Sequence, residues 1–310
     1  MSPKGDELFD LPEELIIDTD AVRREIVAFI RAQLRKAGYS RVLLGLSGGI
    51  DSALTACLAA EAVGAASVLC VLMPYRTSSP ESVGHARLVV DKLGCASDMV
   101  EITPMVDGYF GREGEARPGE APDLMLEVGA GGAAAREATP LRRGNLAARM
   151  RMAILYDRSV IWGGLVAGTG NKTEWLIGYT TMYGDNACAF GPIGDLYKSQ
   201  VRQLAAAMGV PEEIILKPPS ADLWPGQTDE GEADFSYPEL DRMLFWMYDQ
   251  GRSDEELLAM GFGKAKIERL HQMMAASEFK RIVPPVASLA LERSDPDDPH
   301  SPLRPGVSEK

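Results

Sequence analysis

Residues suited to binding transition metals are scarce, with 3 histidines and 4 cysteines in 310 residues. Cys57, Cys70, Cys95 and Cys188 form no CxxC pair, and His85, His271 and His300 are scattered, so the ligand spacing of a zinc site is absent. The cysteines read as free core thiols, because most fall in apolar stretches. Oxygen-held magnesium is the metal this leaves to expect. A run of about eighteen apolar residues is also missing, which argues against a membrane-spanning helix. The N-terminal MSPKGDELFDLPEELIIDTD is acidic and broken by Pro3, Gly5 and Pro12, unlike a signal peptide. A cytoplasmic location without a membrane partner is expected. Positive charge is short as well: 32 Lys and Arg against 45 Asp and Glu give a net charge of −13. Such a surface repels a phosphate backbone, so nucleic acid is an unexpected partner, whereas a small anionic substrate is allowed. No GxxxxGK[ST] loop occurs.

What is present is an alternation. Val22, Ile26, Phe29 and Ile30 recur at helical spacing up to Gly38. RVLLGL then reads as a buried strand, SGG as a turn, and IDSALTACLAAEAV as a helix stopping at Gly64. Ser67 to Met73 reads as a second strand, and Ser79 with Pro80 starts a helix that ends at Gly94. A third strand is expected near Ser97 to Ile102, a fourth within SVIWGGLVAG, and a helix in DLYKSQVRQLAAAMG. Strands alternating with helices predict an α/β fold with a doubly wound, mostly parallel sheet and helices on both faces. Capping-box patterns at Ser236/Glu239 and Ser253/Glu256 make the last third helical. One domain over residues 1–290 is expected. Residues 111–140, rich in Gly, Ala, Glu and Pro, read as a mobile insertion, and 291–310 as a disordered tail. LRRGNLAARMRMAILYDR, with Arg142, Arg143, Arg149, Arg151 and Arg158, is either a solvated basic helix or one that faces an anion or a second subunit.

The chemistry is concentrated in SGGIDS, Ser47 to Ser52, between a strand and a helix. Free N–H groups and the dipole at a helix N-terminus favour an anion, and Gly48 and Gly49 let the backbone close around phosphate oxygens. Ser47 and Ser52 add hydroxyl donors. Asp51 alone would repel phosphate, and a magnesium ion between them resolves the conflict.

SGGIDS resembles the pyrophosphate loop of the N-type ATP pyrophosphatases, which cleave ATP between the α and β phosphates. GNLAARMRMAILYD, GTGNKTEWLIGYTTMYGD, PIGDLYKSQVRQLA, KPPSADLWPGQTDE and the FKR ending at Arg281 follow in the order seen in ammonia-dependent NAD synthetases. The resemblance runs from Val22 to Pro285, interrupted by residues 111–140. It implies a Rossmann-like fold of the adenine nucleotide alpha hydrolase type. It implies that ATP adenylates the nicotinate carboxylate of deamido-NAD and that ammonia displaces AMP. Gly45, Leu46, Ser47, Gly48, Gly49, Ile50, Asp51 and Ser52 would form the ATP loop, with Arg76, Thr169, Lys198 and Ser220 also meeting ATP. Asp51 and Glu174 would hold magnesium. Arg149, Asp185 and Lys280 would bind deamido-NAD, and Asp51, Lys198 and Asp185 would carry the catalytic work. Met182, Ala189 and Phe279 depart from the lysine, aspartate and histidine that many family members have there. These departures keep open an amide ligase of the same superfamily acting on a different carboxylate. The segment ahead of the first helix is too short for the glutaminase domain of the glutamine-dependent relatives, so free ammonia is the expected nitrogen source. The family also implies a homodimer.

Overall fold

The computed structural model describes residues 12–111, 139–218, 235–282 and 284. Its sheet is seeded by two short apolar strands, β1 (Val42–Gly45) and β2 (Val68–Leu72), whose side chains are buried on both faces. That pattern belongs to parallel strands covered above and below. With β3 (Ala96–Met99) and β4 (Leu165–Val166) they form a sheet of order β3-β2-β1-β4 in which every pair is parallel. Val42 stands opposite Val68 on one side and Leu165 on the other. The chain therefore winds outward from β1 through β2 and β3, then returns to place β4 on β1's free edge. The crevice where the winding reverses lies beyond the C-terminal ends of β1 and β4, the usual ligand position in such sheets.

Strand alternation divides the core. Val42, Leu44, Val68, Cys70 and Leu72 face a layer that includes α1 (Thr19–Ala37), α2 (Ile50–Val63) and α3 (Pro80–Leu93). Leu43, Leu69 and Val71 face the opposite way, onto α4 (Thr103–Gly111) and α5 (Pro140–Trp162). After β4 come α6 (Lys172–Ile177), α7 (Lys198–Ala207) and α8 (Glu212–Ile215). A helical C-terminal part follows: α9 (Tyr237–Leu244), which runs on as a π-turn over Phe245–Asp249, then α10 (Asp254–Ala259) and α11 (Lys264–Ser277). It has its own core, where Leu240, Met243, Leu257 and Leu270 pack on Leu176 and Tyr197. Helix α7 joins the two bodies, because Val201 and Leu204 point into the sheet-side core while the preceding Tyr197 belongs to the C-terminal one.

Three sequence expectations shift. The fourth strand is only Leu165–Val166, since α5 continues through Ser159 to Trp162 before Gly163 ends it in a left-handed cap. Its β-branched Val160 and Ile161 are 83% and 73% exposed, so the run that imitates a buried strand lies on the outside of a helix. The third strand ends at Met99, although the Val100 and Ile102 N–H groups still bond to the Leu72 and Pro74 carbonyls. Ser253 and Glu256 form the expected capping box, and Ser236 is likewise the N-cap where α9 starts, but its side chain makes no cap bond. Cys70 and Cys95, distant in sequence, meet as free thiols with their sulfurs 3.6 Å apart. Most of the 111–140 insertion (residues 112–138) and the 291–310 tail lie outside the described residues.

The turn after β1 depends on one backbone position. Gly48 has φ of 83°, and a Cβ there would collide with the Ser82 carbonyl oxygen on α3. Gly48→Ala should therefore destabilise the protein by about 2–4 kcal/mol in urea unfolding, combining left-handed strain with a backbone clash. A loss below about 0.5 kcal/mol would contradict this tight approach of loop and helix.

Candidate functional site

The loop expected to take phosphates sits where the fold predicts, at the C-terminal end of β1. Gly45 ends the strand, Leu46 is buried, Gly49 is the N-cap of α2, and Ile50, Asp51 and Ser52 make its first turn. The two serines hold the loop's shape: Ser47 Oγ lies 3.1 Å from Ser52 Oγ and accepts from the Gly49 N–H, while Ser52 Oγ donates to the Gly49 carbonyl. The N-terminal N–H groups of α2 have no carbonyl partner within the helix, which makes its start a place for anionic oxygen.

Asp51 leaves this turn and meets residues from far along the chain. Lys198 Nζ lies 2.5 Å from Asp51 Oδ2 and 3.4 Å from Glu174 Oε1. Asn171 Nδ2 donates to Asp51 Oδ1 at 2.9 Å. Asn171 and Glu174 also close a capping box on α6, which fixes the glutamate by its own helix start. Three short sequences, SGGIDS, GTGNKTEW and DLYKSQVR, thus converge on one cluster of two carboxylates around one ammonium. Lys198 is 3% exposed, a depth at which a lysine requires compensating carboxylates.

Beside the cluster is a pocket whose lining includes Gly168, Gly170, Glu174, Trp175, Thr180 and Asp185. Its far wall is the turn from Gly178 to Asp185, and the residues expected to bind the acceptor all touch that turn. Lys280 Nζ donates to the Gly178 and Thr180 carbonyls, both at 2.8 Å. Arg149 Nε on α5 donates to the Met182 carbonyl at 3.3 Å. Asp185 accepts from Thr180 Oγ1 at 2.6 Å and from the Thr181 N–H at 2.8 Å. Burial lowers the Lys280 pKa from its ordinary value, while the nearby Asp185 charge acts to raise it.

The other expected residues are less closely grouped. Thr169 is half-buried between Gly168 and Gly170 after β4. Arg76, after β2, is held by Tyr75 Oη and the Asp107 carboxylate, each at 3.2 Å, and Asp107 is also bound by Arg143. Ser220 lies outside the described residues. Of the departures from the family pattern, Phe279 is 54% exposed, Met182 is half-buried and offers its carbonyl to Arg149, and Ala189 is exposed.

Sequence reading missed Asn171 and Asp241. Asn171 stands inside GTGNKTEW, and its place before KTE is an N-cap signature. Asp241 had a signal too: with Tyr237, Leu240 and Leu244 it shares the apolar stripe of α9, where an acidic side chain is out of pattern. It is fully buried and accepts from Thr173 Oγ1, the Ser199 N–H and Ser199 Oγ.

Known proteins resemble this chain over most of its length. The family model described as NAD synthase matches residues 22–284. The NH(3)-dependent NAD(+) synthetase of Trichlorobacter lovleyi is 47% identical over 283 residues, covering 91% of this chain and 96% of the relative. Among solved structures, the NMN synthetase of Francisella tularensis superposes with a TM-score of 0.73 at 26% identity, covering 88% of this chain and 100% of that one. The NH3-dependent NAD synthetase of Campylobacter jejuni gives a TM-score of 0.69 at 31% identity, with the same coverage.

The buried aspartate generates a pH prediction. Desolvation raises the Asp241 pKa from 3.8 to about 6, against the lowering by its hydrogen bonds to Ser199 and Thr173 and by the Lys198 charge. A folded pKa above the unfolded one favours the folded state fully below about pH 4, and that contribution is lost as pH rises through about 6. Asp241→Asn cannot titrate. Wild-type stability minus that of Asp241→Asn, from urea unfolding at each pH, should therefore fall by roughly 1–3 kcal/mol between about pH 4 and 6.5 and then level off. A difference flat across this window would contradict the raised pKa.

Proposed function

Since this chain belongs to the NAD synthase family, we propose that it makes NAD from deamido-NAD, ATP and ammonia. The observation that supports this best is the shared pocket. Glu174 of the Asp51–Lys198 cluster lines one side of it, and the turn braced by Arg149, Asp185 and Lys280 lines the other. An adenylating ligase has to bring an α-phosphate and a carboxylate together in such a space, and it needs no protein nucleophile.

In the first step an oxygen of the nicotinate carboxylate attacks the α-phosphorus of ATP. The bond to the β-phosphate oxygen breaks, and pyrophosphate leaves. In the second, ammonia attacks the acyl carbon, the bond to AMP breaks, and a proton from the nitrogen is released. The start of α2 receives phosphate oxygens, and Lys198 is placed to stabilise negative charge developing on the departing pyrophosphate. Lys280 and Arg149 orient the acceptor through the Gly178–Asp185 turn, and Asp185 stands at the wall where ammonium or the nicotinate end arrives. Asp51 and Glu174 suit a hard cation, because both are hard oxygen donors and together they carry one more negative charge than the Lys198 ammonium they share. They would hold a magnesium ion, which supplies neutralisation of phosphate charge.

A homodimer suits the outer face of α5, where Leu141, Tyr156 and Val160 are exposed. No helix among the described residues is long and apolar enough to cross a membrane, and the reading places the enzyme in the cytoplasm.

A second reading keeps the ATP chemistry and changes the carboxylate. Apolar Met182, Ala189 and Phe279 favour it, as does the likeness to an NMN synthetase. Phosphorus NMR with mass spectrometry of the amide decides between the two. With ammonium and deamido-NAD, NAD should appear in step with AMP and pyrophosphate, and glutamine should not replace ammonium. ADP with orthophosphate would overturn adenylation. Faster amidation of nicotinate mononucleotide than of deamido-NAD would move the assignment to the second reading.

A further inference from the structure

Taking a carboxylate out of water is unfavourable unless donors replace the lost solvent. Asp241 has no exposure at all, and its replacement donors come from one place, the junction of α6 and α7. Thr173 Oγ1 donates to Oδ1 at 2.6 Å, and the Ser199 N–H and Oγ donate to Oδ2 at 2.7 and 2.6 Å. Lys198 and Ser199 are the first two residues of α7, so their N–H groups have no carbonyl partner within the helix. The Ser199 N–H is taken by Asp241, and the Lys198 N–H by Thr173 Oγ1 at 3.0 Å. A negative side chain supplied from another helix thus caps α7 at its positive end.

The residues clamped in this way adjoin the reactive cluster. Thr173 immediately precedes Glu174, and Ser199 immediately follows Lys198. One turn before Asp241 on α9, the ring of Tyr237 lies 5.3 Å from Lys198 Nζ, within range for a cation–π contact. One face of α9 therefore fixes the backbone from which Lys198 departs and also meets the ammonium at the far end of its side chain. Asp241 itself bonds to neither Asp51 nor Glu174 in the contacts described above.

We propose that Asp241 is a positioning residue for the reaction assigned above, holding Lys198 and Glu174 in register through Ser199 and Thr173 while Tyr237 guides the lysine ammonium. The role rests on that assignment for its effect on rate, and on geometry alone for its effect on Lys198. Loss of the carboxylate would release the N-terminus of α7 and let Nζ drift from Asp51.

Competitive acetylation of lysines with acetic anhydride, read by peptide mass spectrometry without substrates, tests this on the full chain. In Asp241→Asn and Thr173→Val, labelling of Lys198 relative to Lys92 should rise by about fivefold or more, because the network loses a member it shares. Turnover should fall by about tenfold or more with the KM for the acceptor within about twofold, the signature of a misplaced group that acts on the chemical step. Thr173→Ser, which restores the hydroxyl, should recover most of what Thr173→Val loses. If Asp241→Asn does not fold, Thr173→Val and Ser199→Ala carry the comparison. Unchanged Lys198 labelling in a variant that still unfolds cooperatively would overturn the role, as would an equal rise at Lys92. A wild type that makes no amide would instead count against the assigned reaction, leaving the labelling result to stand on its own.

Discussion

Lys198 brings a full positive charge to a place where 4% of its side chain meets solvent, with Asp51 at 2.5 Å and Glu174 at 3.4 Å as its compensation. Neither carboxylate is near it in the sequence, so the pairing is also a topological constraint. It requires that the start of α2, the start of α6 and the start of α7 meet at one point. The parallel sheet supplies that point, because β1 and β4 are neighbours and their C-terminal ends deliver the two loops side by side. The C-terminal helices then close the cluster from behind, where α9 brings Tyr237 and Asp241 to the start of α7.

The charge balance of the cluster suits its task. Among the described residues, two carboxylates against one ammonium leave an excess negative charge, which suits the magnesium ion proposed above, and such an ion would supply neutralisation of phosphate charge. Across the pocket, the Gly178–Asp185 turn presents its carbonyls to Lys280 and Arg149, so that wall is stiffened by the two cations proposed to orient the acceptor. Helix starts recur throughout: α2 at the loop proposed to take phosphate, α6 fixing Glu174 with its capping box, and α7 capped by Asp241 while it carries Lys198.

Much of this was legible in the sequence where local rules decide the outcome. The strand, glycine turn and helix around SGGIDS follow from a short apolar run, a residue that tolerates positive φ, and a helix N-terminus, and the structure places each there. Apolar alternation with helices gave the parallel sheet, and Ser79 with Pro80 gave a helix start. The fourth strand was misjudged because β-branched Val160 and Ile161 look alike on an exposed helix face and in a buried strand, and only α5's hydrogen bonding separates them. The convergence of Asp51, Glu174 and Lys198 was expected from resemblance, but its support was not. Asp241 and Asn171 act through tertiary contacts spanning 68 and 120 residues, which no local period encodes.

The central claim is that the Lys198–Asp51 pair holds the cluster together and also serves the chemistry, and a double-mutant cycle tests it most directly. Unfolding free energies and turnover would be measured for Lys198→Met, Asp51→Asn and the double variant. Lys198→Met alone should cost about 3 kcal/mol, since it strands a carboxylate beside a second one, and adding Asp51→Asn should return at least about 1 kcal/mol of that loss. Turnover should stay lost in all three. Stability losses that simply add, or a double variant with restored turnover, would contradict the account.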